Sequence, residues 1–260
     1  MQKLEGTAIT ELVEGGKLKR ADILLAHSKG SYWGWLIRLG TRCYWNHAFI
    51  LYMVRDPNHG YNETLIIDPR MGIIHLDNIA HYFGNPNRYD VTVKRLDKEW
   101  FQNDSKVGGL SYCQTVCDIA LREIADKSDA RIIRISRGIL RQVRLVYRFV
   151  RRRIKYPRPS KKRLSPITKR LMISAYGCGG FIQWSYYQAV SRVLEESHDK
   201  NRLQDVTFNP RLIEPVKQHD LLSVTPADLA KSDKLSWKYV VKDGVVWAVS
   251  SKEEVTSIIK

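Results

Sequence analysis

Residues 131–170 hold 16 lysines and arginines and not one aspartate or glutamate. The whole chain carries 43 basic and 27 acidic residues over 260 positions, a net charge of +16. Outside that interval the remaining 27 basic residues match the 27 acidic ones, so the entire excess charge belongs to one segment. A foldable core has to come from the balanced sequence on either side of it. The length suits one large domain, or one domain carrying a substantial insertion.

An apolar content of 43% is ample for a packed core and excludes wholesale disorder. Four cysteines are too few for a disulfide scaffold. Cys113 and Cys117 stand four apart in a helical pattern; a Cys-x-x-x-Cys without a second pair is a weak metal signal, and burial is expected. Cys43, in an aromatic stretch, reads as core. No metal or cofactor is expected. The N-terminus shows no positive region followed by an apolar run, and no stretch approaches about 18 uninterrupted apolar residues. A cytoplasmic location is therefore expected, with any membrane contact peripheral.

Strand-like segments lie at 21–26, 45–54, 64–68 and 89–96, separated by Gly, Pro and Asn turn signals. Residues 31–40 predict a short helix ended by Gly40, and 110–125 a helix with Val116, Ile119, Ala120 and Ile124 on one side. Within 131–155, arginines recur at 131, 134, 137, 141, 144 and 148 in steps of three and four, one stripe along a helix. Pro157 and Pro159 stop it. A helix from Cys178 to about Glu195 follows. Thr225-Pro226-Ala227-Asp228 then reads as a helix start, and 238–241 with 245–249 as a hairpin turning through Lys242-Asp243-Gly244.

The chemistry centres on Cys178, in Tyr176-Gly177-Cys178-Gly179-Gly180-Phe181-Ile182. A thiol at a helix N-terminus sits where the macrodipole favours thiolate. The neighbouring glycines let backbone and substrate approach, and the first amides of the helix can serve as oxyanion donors. The alternative is a buried cysteine whose glycines ease packing. His47, early in the second strand, is a plausible base for the thiol, or a core histidine. Asp68 ends the next strand in Leu65-Ile66-Ile67-Asp68-Pro69-Arg70. It is either a turn former before Pro69 or, if the two strands are antiparallel neighbours, an orienter that reaches the imidazole. His, Asp and Cys would then complete a triad. Asp22 reads as structural, setting the first strand, and Tyr176 as packing that borders the site.

These motifs together resemble the circularly permuted branch of the NlpC/P60 papain-like superfamily, in particular the YiiX/YebB-like cysteine hydrolases, with lecithin–retinol acyltransferases more distant. That branch opens on a "G-D-I-L" strand, here Ala21-Asp22-Ile23-Leu24. It supplies its histidine from "S-H-V-G-I", here Asn46-His47-Ala48-Phe49-Ile50. A third polar residue comes from a strand like "V-I-E-A" followed by "G-V", matched by Ile66-Ile67-Asp68-Pro69 with Gly72-Ile73. Its cysteine comes last, in "Y-x-C-S-E-L-V". Val224-Thr225-Pro226-Ala227-Asp228-Leu229-Ala230 is similar to its C-terminal signature. The match covers roughly 20–96 and 172–250, which makes 128–171 an insertion within a single domain spanning 1–260. The chain departs from the pattern in having Asp68 for the usual Glu and Gly179-Gly180 for Ser-Glu. His75 is an alternative orienter, as in relatives with two histidines.

The resemblance implies an α+β, permuted papain-like fold, an antiparallel sheet packed on the helix that bears Cys178. It implies thiol-dependent hydrolysis or acyl transfer at an amide or ester, in a cell-wall-type peptide or a lipid. The other class is a non-catalytic basic adaptor on the same scaffold. The stripe from Arg134 to Arg153 suits an anionic membrane surface, with Trp33, Trp35, Trp45, Tyr32 and Tyr44 at the interface. Nucleic acid is the weaker partner, since the stripe offers no repeated aromatic platform. A solvated face of a packed helix is the remaining reading.

Overall fold

Two runs of the sequence, Ile23–Ala26 and Ala48–Leu51, are apolar without alternation, and a strand of that kind needs cover on both faces. The computed structural model supplies it. The structure describes residues 2–3, 12–13, 16–54, 63–70, 73–102, 111–125, 177–197, 200–209 and 218–260. The basic stripe of 131–155, the insertion of 128–171 and Tyr176 lie outside the described residues.

Eight strands form one sheet: β1 (Gln2–Lys3), β2 (Ile23–Ser28), β3 (His47–Met53), β4 (Leu65–Arg70), β5 (Ile73–Asn78), β6 (Tyr89–Arg95), β7 (Ser236–Lys242) and β8 (Val245–Ala248). Their order is β1-β8-β7-β6-β2-β3-β4-β5 and every pairing is antiparallel. The described helices are α1 (Tyr32–Thr41), α2 (Ala80–Phe83), α3 (Glu99–Gln102), α4 (Tyr112–Ala125), α5 (Cys178–Ser197), α6 (Lys200–Asp205), α7 (Gln218–Leu221), α8 (Pro226–Lys231) and α9 (Lys252–Ile259). The architecture is α+β.

Alternation along the central strands divides the interior into two layers. Ile23, Leu25, Ala48, Ile50 and Ile67 share one layer with Val116, Ile119 and Ala120 of α4 and Phe181, Ile182 and Val190 of α5. Leu24, Ala26, Phe49, Leu51 and Ile66 fill the other with Tyr82 and Phe83 of α2. Truncating a large side chain in either layer, such as Phe49→Ala, costs roughly 3–5 kcal/mol. Cys113 and Cys117 are buried in the first layer, as their helical spacing predicts, and Cys43 packs at its margin.

Several sequence expectations shift in detail. Gly40 does not end α1; the helix runs to Thr41 and is closed by Arg42 in the left-handed region (φ 51°), whose N–H donates to Arg38 O at 2.7 Å. Trp45 does not face an interface but is buried in the first layer, because Asn46 and Trp45 lead inward into β3. The capping box at Thr225 is present, with the Thr225 side chain on the Asp228 amide and the Asp228 carboxylate on the Thr225 amide. The hairpin turns through Asp243 (φ 52°) and Gly244 (φ 80°).

Two buried basic residues occupy consecutive positions on β6, and burial pushes the Lys94 pKa down to about 7. Lys94 Nζ donates to the carbonyls of Leu229 (3.0 Å), Ala230 (3.0 Å) and Ser232 (2.9 Å), satisfying the C-terminal end of α8. Arg95 makes a two-pronged pair with the buried Asp22, Nε to Oδ1 at 2.6 Å and Nη2 to Oδ2 at 2.7 Å. Asp22 is thus structural, as the sequence suggests, and it also takes the Lys19 amide at 2.8 Å.

Candidate active site

The entry into β3 is fixed before the histidine is reached. Asn46 N donates to Ala26 O at 3.0 Å, and its side-chain oxygen accepts from Ser28 N at 3.2 Å. Gly34 of α1 is pressed against the same residue; a Cβ there would lie 2.2 Å from Asn46 Nδ2. His47 follows as the first residue of β3, with its side chain 18% exposed.

Across the sheet, β3 and β4 pair with Ile50 opposite Ile67 and Leu51 opposite Ile66. Continuing that register puts Asp68 diagonally across from His47 on one face of the sheet. The side chains meet: His47 Nε2 is 2.6 Å from Asp68 Oδ1. Asp68 has no exposed side-chain surface, and its second oxygen is also occupied. Oδ2 accepts from the Tyr82 hydroxyl at 2.7 Å and from Arg70 Nε. Arg70 Nη2 in turn donates to Asp77 Oδ2 at 2.5 Å. The Tyr82 ring lies nearly parallel to the imidazole, centroids 6.2 Å apart, stacks on Phe49 at 4.3 Å and receives the Arg70 guanidinium at 5.5 Å.

Cys178 is the first residue of the twenty-residue α5 and is half-buried. Its thiol stands close enough to His47 to act on the imidazole electrostatically. With Nε2 committed to Asp68, Nδ1 is the ring nitrogen left for the thiol. The amides of Gly180 and Phe181 are spent on Gly177 O at 3.0 and 3.3 Å. The Cys178 and Gly179 amides ahead of them are the first-turn donors that a developing oxyanion would find.

Electrostatics follow from this packing. Burial alone would lower the His47 pKa. The Cys178 charge, hydrogen bonds to Asp68 and Cys178, and the Asp68 charge outweigh it and push the pKa up to about 10. These influences favour the imidazolium form of His47. Burial would raise Asp68, but the His47 bond and charge, the Tyr82 hydroxyl and Arg70 hold it below the ordinary carboxylate value. By contrast, burial pushes Cys117 up to about 12 and also raises Cys43.

The sequence-derived residues Cys178, His47 and Asp68 are thus brought together. His75 is not the orienter. It stands opposite Asp68 on β5 and is exposed, while Asp68 holds the second ring nitrogen. The glycines after the cysteine have a steric reason. A Cβ at Gly179 would lie 2.6 Å from Thr225 C, and one at Gly180 2.2 Å from Leu222 O. The backbone of 222–225 fills the space that Ser-Glu side chains would need. Tyr82 and Arg70 were not singled out from sequence; Arg70, two residues beyond Asp68 on the same face of β4, carried the one usable signal.

A second polar cluster at this end of the sheet is structural. Buried Asp90 accepts from the Tyr44 hydroxyl at 2.5 Å and pairs with Lys29 at 2.8 Å, and Lys29 also reaches Asp243 at 2.6 Å, tying the β7–β8 turn to β2 and β6. Tyr44 is half-buried, with its hydroxyl committed to Asp90. Among the described residues, no group of three or more His, Cys, Asp or Glu is placed to hold a metal ion, and no helix is long and apolar enough to cross a membrane. Compared with known proteins, the chain matches no family model, no curated protein and no solved structure.

Proposed function

We propose that this protein is a cysteine-dependent hydrolase or acyltransferase with a permuted papain-like fold, acting on an amide or ester through Cys178, His47 and Asp68. The observation that carries the reading is the 2.6 Å bond from His47 Nε2 to a fully buried Asp68, on an imidazole that also feels the charge of a thiol at a helix N-terminus. A merely packed histidine has no need of a buried carboxylate on one nitrogen and a thiol on the other.

In this mechanism the Cys178 thiolate attacks the acyl carbonyl carbon, forming a C–S bond and moving the carbonyl electrons onto oxygen. The Cys178 and Gly179 amides stabilise that oxyanion. His47 gives its Nδ1 proton to the departing nitrogen or oxygen as the carbonyl re-forms, leaving a thioester on Cys178. The neutral imidazole then takes a proton from water or an acceptor hydroxyl or amine, which attacks the thioester and releases thiolate. Asp68 remains ionised throughout and holds the ring orientation. Substrate classes are cell-wall-type peptides and lipid acyl esters or amides.

The test is acyl-enzyme trapping with a panel of activated esters and peptide amides, read by intact and peptide mass spectrometry. One acyl group on Cys178 is expected, absent in Cys178→Ser, with turnover lowered roughly 10²–10⁴-fold in His47→Ala. No acylation of Cys178 by any member of the panel, with no ester or amide turnover, overturns the proposal.

A further inference from the structure

Among the described residues, large apolar side chains exposed to solvent concentrate on a single element. Tyr32 (67% exposed), Trp35 (49%) and Leu39 (61%) all belong to α1, as does the exposed Ile37. The first three recur at i, i+3 and i+7, so they form one stripe along the helix. A flank of the helix beside the stripe is the attached one: Gly34 abuts Asn46, and Arg38 Nη1 donates to Ser28 O at 3.1 Å. Tyr32 and Trp35 stack on each other, ring centroids 6.1 Å apart, which presents a preformed aromatic edge.

The helix itself carries charge of one sign. Tyr32–Thr41 contains no acidic residue, Arg38 lies in its last turn, and exposed Arg42 closes it. The chain adds an uncompensated charge of +16, all of it between residues 131 and 170. Aromatic and aliphatic side chains flanked by arginine, on a protein of strong positive charge, complement the interface of an anionic bilayer: ring edges at headgroup depth, guanidinium on phosphate. A neutral or basic protein partner would gain nothing from the excess charge of the chain as a whole. We infer that α1 is a docking element for an anionic lipid surface, seating Tyr32, Trp35 and Leu39 in the headgroup region. Because Gly34 packs on Asn46, the residue before His47, docking brings the membrane to the rim of the candidate site. The inference rests on α1 itself and not on the thiol chemistry.

The experiment is flotation of the full chain with vesicles of phosphatidylcholine alone and with about one-third phosphatidylserine. Wild type is expected to float with the anionic vesicles only, and part of the bound fraction should survive raised salt, because apolar contact is not screened. The double variant Trp35→Ser, Leu39→Ser should lose at least about tenfold in partition coefficient. Its circular dichroism and its Cys178 alkylation rate in solution should not change. Arg42→Glu should weaken binding at low salt more than at high salt. Wild type floating with neither vesicle overturns the inference. So does a double variant that floats like wild type, which would place the contact elsewhere on the chain. A wild-type dimer in sedimentation that the double variant dissolves, without flotation, assigns the stripe to a second copy and also overturns it.

Discussion

Tyr82 donates its hydroxyl, at 2.7 Å, to the carboxylate oxygen of Asp68 that His47 leaves free. A carboxylate held on both oxygens cannot swing, so the imidazole it orients is fixed as well. Tyr82→Phe removes a bond to a charged, buried group, and stability should fall by about 1.5–3 kcal/mol. The same change makes Asp68 more basic. A group whose folded pKa lies below its ordinary value contributes stability above that ordinary value and loses it as pH falls through the folded pKa. The acid-side loss of activity in Tyr82→Phe should therefore begin at a higher pH than in wild type. A purely structural tyrosine would lower stability and leave that limb in place.

Iodoacetamide near neutral pH should label Cys178 well ahead of Cys43, Cys113 and Cys117. Burial raises the Cys117 thiol to about 12 and raises Cys43 as well, so both are overwhelmingly protonated there. Labelling of Cys178 should slow in His47→Ala. Peptide mapping after a timed pulse reads both effects. Equal labelling of all four thiols in the folded protein would favour the buried-cysteine alternative.

The pH dependence separates two steps on the alkaline side. His47 has a folded pKa of about 10 against an ordinary value near 6.5. Its contribution to stability is thus complete below about 6.5 and is lost as pH rises through about 10. Turnover, which needs the imidazolium as acid, should fall through that range. Alkylation of Cys178, which needs only thiolate, should not. In Asp68→Asn the alkaline limb of turnover should move to lower pH, because one of the groups that raises His47 is gone.

How much of this was legible in the sequence depends on whether local pattern or distant partners decide each feature. The unbroken apolar runs at 23–26 and 48–51 announce central strands, and Thr225 with Asp228 announces a capped helix, because both signals are local. β5 was not anticipated: Ile73-Ile74-His75-Leu76-Asp77-Asn78 alternates weakly, and its strand character comes from pairing with β4. Tyr82 left no trace, since its four-residue helix has no side-chain cap and its partner lies 14 positions earlier. Lys94 is the sharpest lesson. The strand-like reading of 89–96 says nothing of the fate of Lys94, and the carbonyls of α8 that hold it come from far along the chain.

Gly180→Ala should be costly where Gly177→Ala is not. The new methyl at 180 would meet Leu222 O at 2.2 Å, whereas at 177 nothing lies within 4 Å. The expected loss is about 1–3 kcal/mol at 180, and less than about 1 kcal/mol at 177. Thermal melts of the two variants make the comparison. Similar melting temperatures would mean that α5 is not seated against 222–225 as described.

Lys94→Met keeps the aliphatic stem but strands three carbonyls at the end of α8. Each unsatisfied buried group costs about 1–3 kcal/mol, so a loss of at least about 2 kcal/mol is expected. It should appear as a lower denaturant midpoint with an unchanged slope.

Lys94 and Arg95 are consecutive residues of one strand, so they face opposite layers, and their counterparts differ in kind: peptide carbonyls for one, a carboxylate for the other. A slip of β6 against β2 by a single position would turn the Lys94 amine toward Asp22 and take the Arg95 guanidinium away from the carboxylate that pairs with it. The pair therefore works as a key cut on both edges, which admits one alignment of the central strands and rejects its neighbours. Since β3 is laid down on the other side of β2, with His47 opposite Ala26, that alignment also decides where along the sheet the imidazole stands.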